Sequence, residues 1–401
     1  MITRFTARST RQGPMGGIPY IVALTVLGHI AFTGSRLAVS LTAIQQNASA
    51  LSIGVLMSLF ALLPALLSIQ TGRWVDRVGV KGPLILGSLI ATAGCLVAAF
   101  ATGLTALKLT SALVGTGFMI VGICVYQVVG DLATEDNRAT QFSLLAIGFS
   151  VGGFTGPLVA GVAIDLLSHQ RAFLVLAVFA ILPAIAMVIR PIQLPAKHAH
   201  RERPDDAAVT DLFHQPQLRR VYLSVLIFSV AWDVYNFALP IHGVRIGLSA
   251  SQIGIVMGTF AAATFSVRLA MPWIASHMRP WTVIMASCGV SAAAYLAMPF
   301  ASSIILLMLL LFALGLGLGA PQPMVLAILH KAAPPGRGGE AVGVRILLIN
   351  GCQTLMPLFF GMIGTLGMLP VFWATAAFLA GGGWLARQSR AAFASKEETP
   401  S

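Results

Sequence analysis

The chain has little charge. Only 9% of its 401 residues are Asp, Glu, Lys or Arg, whereas a soluble domain usually has about 25%. So few charges cannot cover the water-facing surface of a protein this long. The composition therefore excludes a soluble globular protein, a disordered chain and a coiled coil. Hydrophobic residues make up 57% of the chain and the mean hydropathy is +0.86, which predicts a protein embedded in a membrane.

Cysteine and the usual motifs of catalysis are also scarce. No pair of the four cysteines has the spacing of a metal site or a redox motif. A phosphate-binding G-x-x-x-x-G-K-S/T motif is missing from the sequence, which argues against ATP as the energy source. His, Asp and Glu cluster only between Arg190 and Arg220, where a solvated segment is a simpler interpretation than a metal site. We therefore expect no metal, no cofactor and no enzyme activity. The cysteines all lie in apolar stretches, at Cys95, Cys124, Cys288 and Cys352.

Long stretches without any charged residue are abundant instead. A helix crosses the hydrocarbon core of a bilayer with about 20 mostly apolar residues. Residues 82–107 form one such stretch, and residues 280–330 and 346–386 are each long enough for two crossings, with bends near 298–303 and 365–370. Counting every stretch gives twelve spans. Because these runs are continuously apolar and do not alternate, we expect helices and not a barrel.

The basic residues are unevenly distributed along this pattern. If the N-terminus is cytoplasmic, 19 of the 25 Lys and Arg residues lie on the cytoplasmic side, as the positive-inside rule favours. The excess positive charge then reports topology, and a nucleic-acid partner is not expected. We predict a multi-pass protein of the bacterial inner membrane with both termini in the cytoplasm. The other six basic residues fall within spans or at their outer edges, at Arg36, Lys108, Arg171, Arg245, Arg268 and Arg345.

The chain contains an internal repeat with an offset of 200 residues. Seven of 13 positions are identical between Ser49–Ala61 and Ser249–Ala261, and the same offset pairs Gly115 with Gly315. Six crossings return the chain to the same side of the membrane, so the two halves run in the same direction. Such an arrangement supports alternating access around a site near the membrane midplane. The predicted units are a six-helix bundle over 1–189, a cytoplasmic linker over 190–219 and a second six-helix bundle over 220–401.

A charged motif follows the second span. Residues 72–81 read GRWVDRVGVK, which resembles the G-x-x-x-D-R-x-G-x-K/R loop signature of the major facilitator superfamily at its expected place between spans two and three. With the twelve spans and the repeat, the chain is identified as a member of this family over nearly its whole length. The resemblance implies an all-α membrane protein whose twelve transmembrane helices form two pseudo-symmetric six-helix bundles.

The resemblance also implies a gate. Gly72 and Gly79 allow close approach and a tight turn. Asp76 accepts hydrogen bonds from the N-terminus of span eleven and latches the two halves in the outward-open state. Asp131 is the candidate acidic partner of the motif, in which Val80 replaces a frequent Arg. A basic loop that only obeys the positive-inside rule is the alternative. The gating residues are Gly72, Asp76, Arg77, Gly79, Lys81 and Asp131, of which Arg77 and Lys81 face the cytoplasm.

A glycine-rich segment lies in span five and reads GGFTGPLVAG over residues 152–161. It is similar to the family's G-x-x-x-G-P-x-x-G-G motif, which is associated with antiporters, with Ala160 in place of one Gly. Generic packing of small residues is the alternative. Ser111 in span four stands where many such antiporters have Arg, which weakens a drug/proton antiporter interpretation. The helix-packing residues are Gly152, Gly156, Pro157 and Gly161.

Two ionisable residues lie deep within predicted spans, where charge is costly and therefore indicates function. Arg36 shares one face of span one with His29, and in the family spans one, four, seven and ten line the cavity. Arg36 is predicted to bind an anion or pair with an acid, or else to snorkel toward headgroups. Asp233 lies near the middle of span seven and either exchanges a proton for coupling or forms a structural ion pair with Arg36. The predicted substrate or proton residues are Asp233, Arg36, His29, Asn236, Tyr126, Gln127 and Gln322.

We therefore expect a secondary active transporter that works by alternating access. Proton-coupled export of a small amphipathic molecule is favoured by the span-five motif and the apolar cavity. Proton-coupled uptake of a small anionic metabolite, motivated by Arg36, is the alternative. A non-transporting sensor or a membrane enzyme is disfavoured because catalytic pairs are missing from the spans. The expected partners are the lipid bilayer, a small-molecule substrate and protons, and the protein is expected to be a monomer.

Overall fold

The computed structural model describes residues 17–132, 138–190, 215–334 and 338–397. Within these residues all regular secondary structure is helical, and a 3-10 turn at Met298–Phe300 accompanies fourteen α-helices. The helices are α1 (Ile18–Gln45), α2 (Ala50–Val78), α3 (Lys81–Phe100), α4 (Leu104–Leu132), α5 (Arg138–Leu166), α6 (His169–Ile189), α7 (Pro216–Arg245), α8 (Ala250–Leu269), α9 (Met271–His277), α10 (Pro280–Ala297), α11 (Ile304–Gly319), α12 (Pro321–Ala332), α13 (Gly338–Gly364) and α14 (Met368–Glu397).

Twelve helical segments of the described chain are long and apolar enough to cross a membrane. Helices α1 to α8 and α10 supply nine of them, α11 and α12 together form the tenth, and α13 and α14 complete the set. The predicted number of spans and the all-α fold are confirmed. Helix α7 begins at Pro216, four residues before the predicted start of the second bundle, because proline is well tolerated in the first turn of a helix. Residues 191–214, most of the predicted linker, lie outside the described chain.

The internal repeat is visible in the residues that cap the N-termini of α2 and α8. At the start of α2, the Oγ of Ser49 accepts a hydrogen bond from the backbone N–H of Ser52 at 3.2 Å. At the start of α8, the Oγ of Ser249 accepts one from the backbone N–H of Gln252 at 3.3 Å. A serine in this position satisfies a donor that the first turn of a helix leaves unpaired. The same capping residue, 200 positions apart, therefore starts the equivalent helix in each half.

The two bundles meet mainly along two helix pairs, α2 with α13 and α5 with α8. We name these contacts the α2–α13 seam and the α5–α8 seam. In both seams glycine lets two backbones approach closely, and a Cβ added at any of four glycines would collide with the main chain of the partner helix. The contacts repeat at an offset of 200 residues: Gly54 meets Pro357 as Gly254 meets Pro157, and Gly361 meets Ala50 as Gly161 meets Ala250.

The seams close one end of the molecule. We name the side at which α1 begins the terminal face, and the side at which α1 ends the opposite face. The four seam glycines lie toward the opposite face, where α2 and α8 begin. Toward the terminal face, the described residues leave open space around Gly72 on α2 and around Gly343 and Gly351 on α13. The α2–α13 seam is therefore packed at the opposite face and open toward the terminal face.

Aromatic residues fill each bundle beside its seam helices. Phe32 on α1 meets Phe60 on α2 edge to face, with ring centroids 5.8 Å apart. Trp232 on α7 meets Phe260 on α8 in a similar geometry at 4.9 Å. These pairs occupy equivalent positions of the repeat and contribute packing beyond the area they bury. The layer that they form positions the residue that follows Trp232, which is Asp233.

Candidate functional site

Asp233 is the most deeply buried charged residue near the centre of the membrane-spanning region. It lies close to the middle of the 30-residue helix α7, and only 1% of its surface is exposed. Neither carboxylate oxygen has a hydrogen-bond partner in the described part of the chain. An unpaired carboxylate in such surroundings is strongly disfavoured unless a nearby cation or a proton neutralises it. The position therefore requires a neighbour of positive charge or a bound proton.

Arg36 supplies that positive charge from the other bundle. It lies on α1, and its Nε atom is buried without a hydrogen-bond partner among the described residues. Its guanidinium stands over the ring of Phe32, with Cζ 5.9 Å from the ring centroid, a favourable cation–π arrangement. The guanidinium interacts electrostatically with the Asp233 carboxyl group. Within the described residues, however, no ion pair of 4.0 Å or less joins the two groups, so the structure brings them together without closing a salt bridge.

A cavity of about 240 Å³ opens beside Asp233. It lies between α7, the junction of α11 and α12, and α13, and it extends from Asp233 toward the terminal face. Its wall is mixed, with apolar side chains and a few polar groups, as ligand-binding cavities usually are. The lining residues are Val225, Phe228, Ser229, Trp232, Asp233, Leu318, Pro321, Gln322, Val325, Arg345, Ile349 and Gln353.

Two further arginines approach the same region from the second bundle. Arg345 lines the cavity, and its Nε atom is buried without a hydrogen-bond partner within the described ranges. Arg268 is used differently, because its Nη1 donates a hydrogen bond to the Oγ of Ser150 at 2.9 Å across the α5–α8 seam. Both arginines interact electrostatically with Tyr126. The sequence places Arg268 and Arg345 within spans or at their edges and assigns neither a binding role, since the rotation of α8 and α13 is not visible in uniformly apolar spans.

The structure brings only some of the predicted site residues to the cavity. Asp233 and Gln322 line it, and Arg36 lies within electrostatic range of Asp233. Asn236 donates a hydrogen bond from Nδ2 to the carbonyl of Trp232 at 3.0 Å, within its own helix. Gln127 donates from Nε2 to the Oδ1 of Asp76 at 3.4 Å, which ties it to the end of α2 and not to the cavity.

His29 and Tyr126 belong to an aromatic cluster inside the first bundle. The His29 ring stacks on Phe118 at 5.4 Å and meets Phe149 edge to face at 5.2 Å. Its Nδ1 is buried and has no hydrogen-bond partner among the described residues. Tyr126 stacks on Phe149 at 5.9 Å, yet 52% of its surface is exposed. Tyr126 is therefore accessible beside the arginines, whereas His29 is enclosed between α1, α4 and α5.

The predicted gating loop is mostly helix. Helix α2 continues through Gly72 and Asp76 to Val78, and α3 begins at Lys81, so the expectation of a loop over residues 72–81 is wrong. Gly79 ends α2 with a φ of +81°, and its N–H donates to the carbonyl of Val75 at 2.9 Å. A positive φ is readily adopted only by glycine. The motif thus encodes a helix end and a two-residue connection.

The latch expected of this motif is not formed by the described residues. Asp76 accepts a hydrogen bond from Gln127 within its own bundle, and residues 335–337, just before α13, lie outside the described chain. Arg77, Lys81 and Asp131 are exposed at the terminal face. No neighbour within the described ranges comes within 4 Å of a Cβ placed at Gly72. The latch of an outward-open state stays a prediction for a conformation in which α2 and α13 close at this face.

The glycines of span five pack α5 against two partners. A Cβ at Gly152 would press on His29, and one at Gly156 would meet the carbonyl of Ile30 on α1. Farther along, the carbonyl of Pro157 lies under Gly254, and Gly161 meets Ala250 on α8. The segment therefore joins the interior of the first bundle to the α5–α8 seam.

Asp165 is a functional candidate that the sequence interpretation missed. Its Oδ1 accepts a hydrogen bond from the backbone N–H of Ala250 at 3.1 Å, and its Oδ2 accepts one from Ser251 at 2.8 Å. The carboxylate thus caps the N-terminus of α8 from the other bundle, where the helix dipole favours negative charge. The repeat position is Thr365, whose Oγ1 donates to the carbonyl of Met362 within its own segment. An unexplained Asp at the outer end of span five was the only available signal.

Two related six-helix bundles, with a buried carboxyl group beside a cavity near the middle of the spans, are typical of secondary membrane transporters. The family model of the Major Facilitator Superfamily matches residues 21–357 and again residues 221–399. The chain belongs to this family. Its two matches begin 200 residues apart, which is the offset of the internal repeat.

Similar proteins are known by sequence and by structure. Tetracycline resistance protein, class H, of Pasteurella multocida is 24% identical over 333 residues, which make up 80% of this chain and 81% of that protein. Multidrug resistance protein 1 of Bacillus subtilis (strain 168) is 25% identical over 236 residues, 57% of this chain and 59% of that protein.

Solved structures share the fold at low identity. A bacterial homolog to the human lysosomal transporter Spinster superposes with a TM-score of 0.77 at 16% identity, over 94% of this chain and 98% of that one. The peptide transporter POT in complex with sulfate superposes with a TM-score of 0.74 at 16% identity, over 95% of both chains. At this identity the likeness establishes the architecture.

Proposed function

We propose that the protein is a secondary active transporter of the bacterial inner membrane that exports a small amphipathic molecule in exchange for protons, with both termini in the cytoplasm. The observation that carries this proposal is Asp233. It is a buried carboxyl group without a hydrogen-bond partner in the described chain, it lines the cavity, and it interacts electrostatically with Arg36 of the other bundle. Such a group within a membrane is a functional candidate by default.

Coupling follows from the position of this pair across the two bundles. Arg36 favours a charged carboxylate, whereas apolar burial favours a neutral carboxyl group. Rocking of the bundles changes the separation of the two groups and hence the balance between these influences. A proton is then taken up on one side of the membrane and released on the other. Substrate enters the cavity when the protein is in the state whose cavity is open to the cytoplasm.

In this mechanism the bundles move relative to each other at the two seams. Packing at the opposite face with open space at the terminal face corresponds to one end of an alternating-access cycle. With the termini in the cytoplasm, that end is the inward-open state. The opposite end requires the α2–α13 seam to separate and the terminal end of α2 to approach α13, where the motif at residues 72–81 would act.

The direction of transport is supported by relatives and not by geometry. The names of two similar proteins refer to tetracycline resistance and multidrug resistance, and both names favour export here. Proton-coupled uptake of a small anionic metabolite is the second candidate. It is favoured by the positive charges of Arg36 and Arg345 beside a single acid, Asp233.

Transport by vesicles of known orientation tests the proposal. Everted membrane vesicles from an efflux-deficient bacterial host are energised to acidify their interior, and accumulation of tetracycline is measured with wild-type protein and with Asp233→Asn. We expect the variant to reduce gradient-driven accumulation to the level of vesicles without the protein, because a neutral amide cannot carry the proton. Exchange of labelled for unlabelled substrate without a gradient should persist.

The controls address expression and direction. Asp205→Asn removes one carboxylate from the predicted linker and should leave accumulation unchanged. Gradient-driven accumulation that survives Asp233→Asn would show that another group carries the proton. Transport only in right-side-out vesicles would reverse the proposed direction and favour uptake.

A further inference from the structure

The charges around the cavity do not balance. Asp233 is its single acidic residue, and its electrostatic partner is Arg36. Arg345 also lines the cavity, and among the side chains that the structure describes Tyr126 is its identified electrostatic partner. Its buried Nε has no hydrogen-bond partner within the described chain. Among the described side chains, the cavity therefore holds one positive charge without an acidic counter-charge.

Comparison with Arg268 shows that lining the cavity without an acidic partner among the described side chains is particular to Arg345. Both arginines lie on the terminal side of the seams and both interact electrostatically with Tyr126. Arg268 nevertheless donates a hydrogen bond to Ser150 in the α5–α8 seam and does not line the cavity. One arginine is thus committed to joining the two bundles, while the other lines the cavity without an acidic partner among the described side chains.

The rest of the cavity wall complements an anionic group with an apolar body. Gln353, about two helical turns beyond Arg345 on α13, and Ser229 on α7 add neutral hydrogen-bonding groups. Phe228, Trp232 and Ile349 supply apolar and aromatic surface. A planar guanidinium that can donate two parallel hydrogen bonds is well suited to a carboxylate or a similar oxyanion.

We propose that Arg345 forms an anion subsite in the transport cavity and that the substrate is a small organic anion with an apolar body. The anionic group binds Arg345, and the apolar body packs against Phe228, Trp232 and Ile349. Asp233 lines the same cavity, so the charge of a bound anion acts on its carboxyl group. This inference rests on the proposed transporter function and assigns the anion to Arg345, whereas the sequence pattern had pointed to Arg36.

A matched pair of probes tests the charge requirement. The full-length protein in detergent is titrated calorimetrically with 2-naphthoate and with the neutral 2-naphthamide, which has nearly the same shape. We expect wild-type protein to bind naphthoate at least about tenfold more tightly, because a charge-assisted hydrogen bond in a partly buried site is worth that much or more. Equal affinities, or no binding of naphthoate, would overturn the proposal.

Three variants locate the effect. Arg345→Gln should remove the preference for naphthoate and leave naphthamide binding unchanged, while Arg345→Lys should keep part of the preference. Arg268→Gln should keep the preference in full, because its guanidinium is bound to Ser150. Equal losses in Arg345→Gln and Arg268→Gln would indicate a general positive potential and contradict a defined subsite. If Arg345→Gln does not fold, the comparison of Arg345→Lys with wild-type protein carries the test.

A lipid phosphate could use the same guanidinium. The titration is therefore repeated in nanodiscs of phosphatidylcholine alone and of phosphatidylcholine with phosphatidylglycerol. Unchanged naphthoate affinity supports a site for a free anion. Loss of naphthoate binding only with phosphatidylglycerol would assign Arg345 to a lipid headgroup and overturn the proposal.

The outcome is independent of proton coupling. Binding at equilibrium in detergent needs no gradient, so the subsite can be present even if vesicles show no coupled transport. Conversely, coupled transport with equal affinity for naphthoate and naphthamide would leave the proposed function intact and remove the anion subsite.

Discussion

The two seams between the bundles have the same backbone contacts and different polar ones. In both, a glycine of one helix meets the carbonyl of a proline in the other, Gly54 with Pro357 and Gly254 with Pro157. The α5–α8 seam adds the two hydrogen bonds to Asp165 near the opposite face and the bond between Arg268 and Ser150 toward the terminal face. The α2–α13 seam has a bond from Ser58 to the carbonyl of Thr354 at 2.6 Å.

This difference shows which part of the architecture the repeat preserves. Close backbone approach depends only on small side chains, and it has been kept in both seams. Polar side chains have diverged, so that Thr365 stands where Asp165 stands in the first half. The α5–α8 seam is held over a greater length, whereas the α2–α13 seam is open toward the terminal face. We infer that the bundles move mainly by opening and closing the α2–α13 seam about the better-held α5–α8 seam.

Adding a methyl group to a seam glycine should have the largest effect on stability. Gly54→Ala and Gly254→Ala each place a Cβ against the main chain of the partner helix, and overpacking of this kind costs about 1–3 kcal/mol. We expect both to lower the midpoint of thermal unfolding in detergent. Gly254→Ala should be the more damaging, because displacement of α8 also strains the bonds to Asp165.

A third glycine controls for helix propensity. Gly122 lies within α4, and the described residues leave open space where its added methyl group would lie. Gly122→Ala should therefore be neutral or stabilising, since alanine is the better helix former. Equal effects of Gly54→Ala and Gly122→Ala would show that close backbone approach is not what holds the α2–α13 seam.

Removing the cross-bundle cap should have the next largest effect and act on one seam alone. Asp165→Ala leaves the backbone donors of Ala250 and Ser251 without their acceptor, at about 1–2 kcal/mol for a lost helix cap. We expect the opposite face to open more often. The measurement uses a protein without its native cysteines, in which Ala160→Cys places a single cysteine at a buried position of α5. Maleimide should label this cysteine faster with Asp165→Ala than with Asp165 present.

The repeat supplies the matched control for this change. Thr365→Val removes a hydroxyl group that bonds only within its own segment, and it should leave the labelling rate of Ala160→Cys unchanged. Acceleration by both variants would attribute the effect to general loosening of the opposite face and would refute an asymmetry between the seams.

The seams also show which features of the fold and of the candidate site could be predicted from the sequence. Charge-free stretches were sufficient for twelve spans, and the 200-residue register placed Gly54 and Gly254 in equivalent contacts. The depth of Asp233 followed from its distance along α7. By contrast, the cap by Asp165 joins residues 85 positions apart, and the cavity position of Arg345 depends on the rotation of α13. Neither feature leaves a periodic signal in a helix that is apolar on nearly every side.

The smallest expected effect concerns the bond between Arg268 and Ser150, and it bears on how far the α5–α8 seam is held toward the terminal face. Ser150→Ala should destabilise the protein by about 0.5–1.5 kcal/mol, the usual net value of one hydrogen bond. The double variant with Arg268→Gln should cost less than the sum of the two single changes, because both remove the same bond.

Ser58→Ala provides the comparison in the α2–α13 seam. If the α5–α8 seam is the better held, Ser150→Ala should raise labelling of a cysteine at Phe154, on the same seam, while Ser58→Ala should not. Additive costs in the double variant would mean that the bond contributes nothing to the seam and would leave Asp165 as the sole polar distinction between the two helix pairs in the described chain.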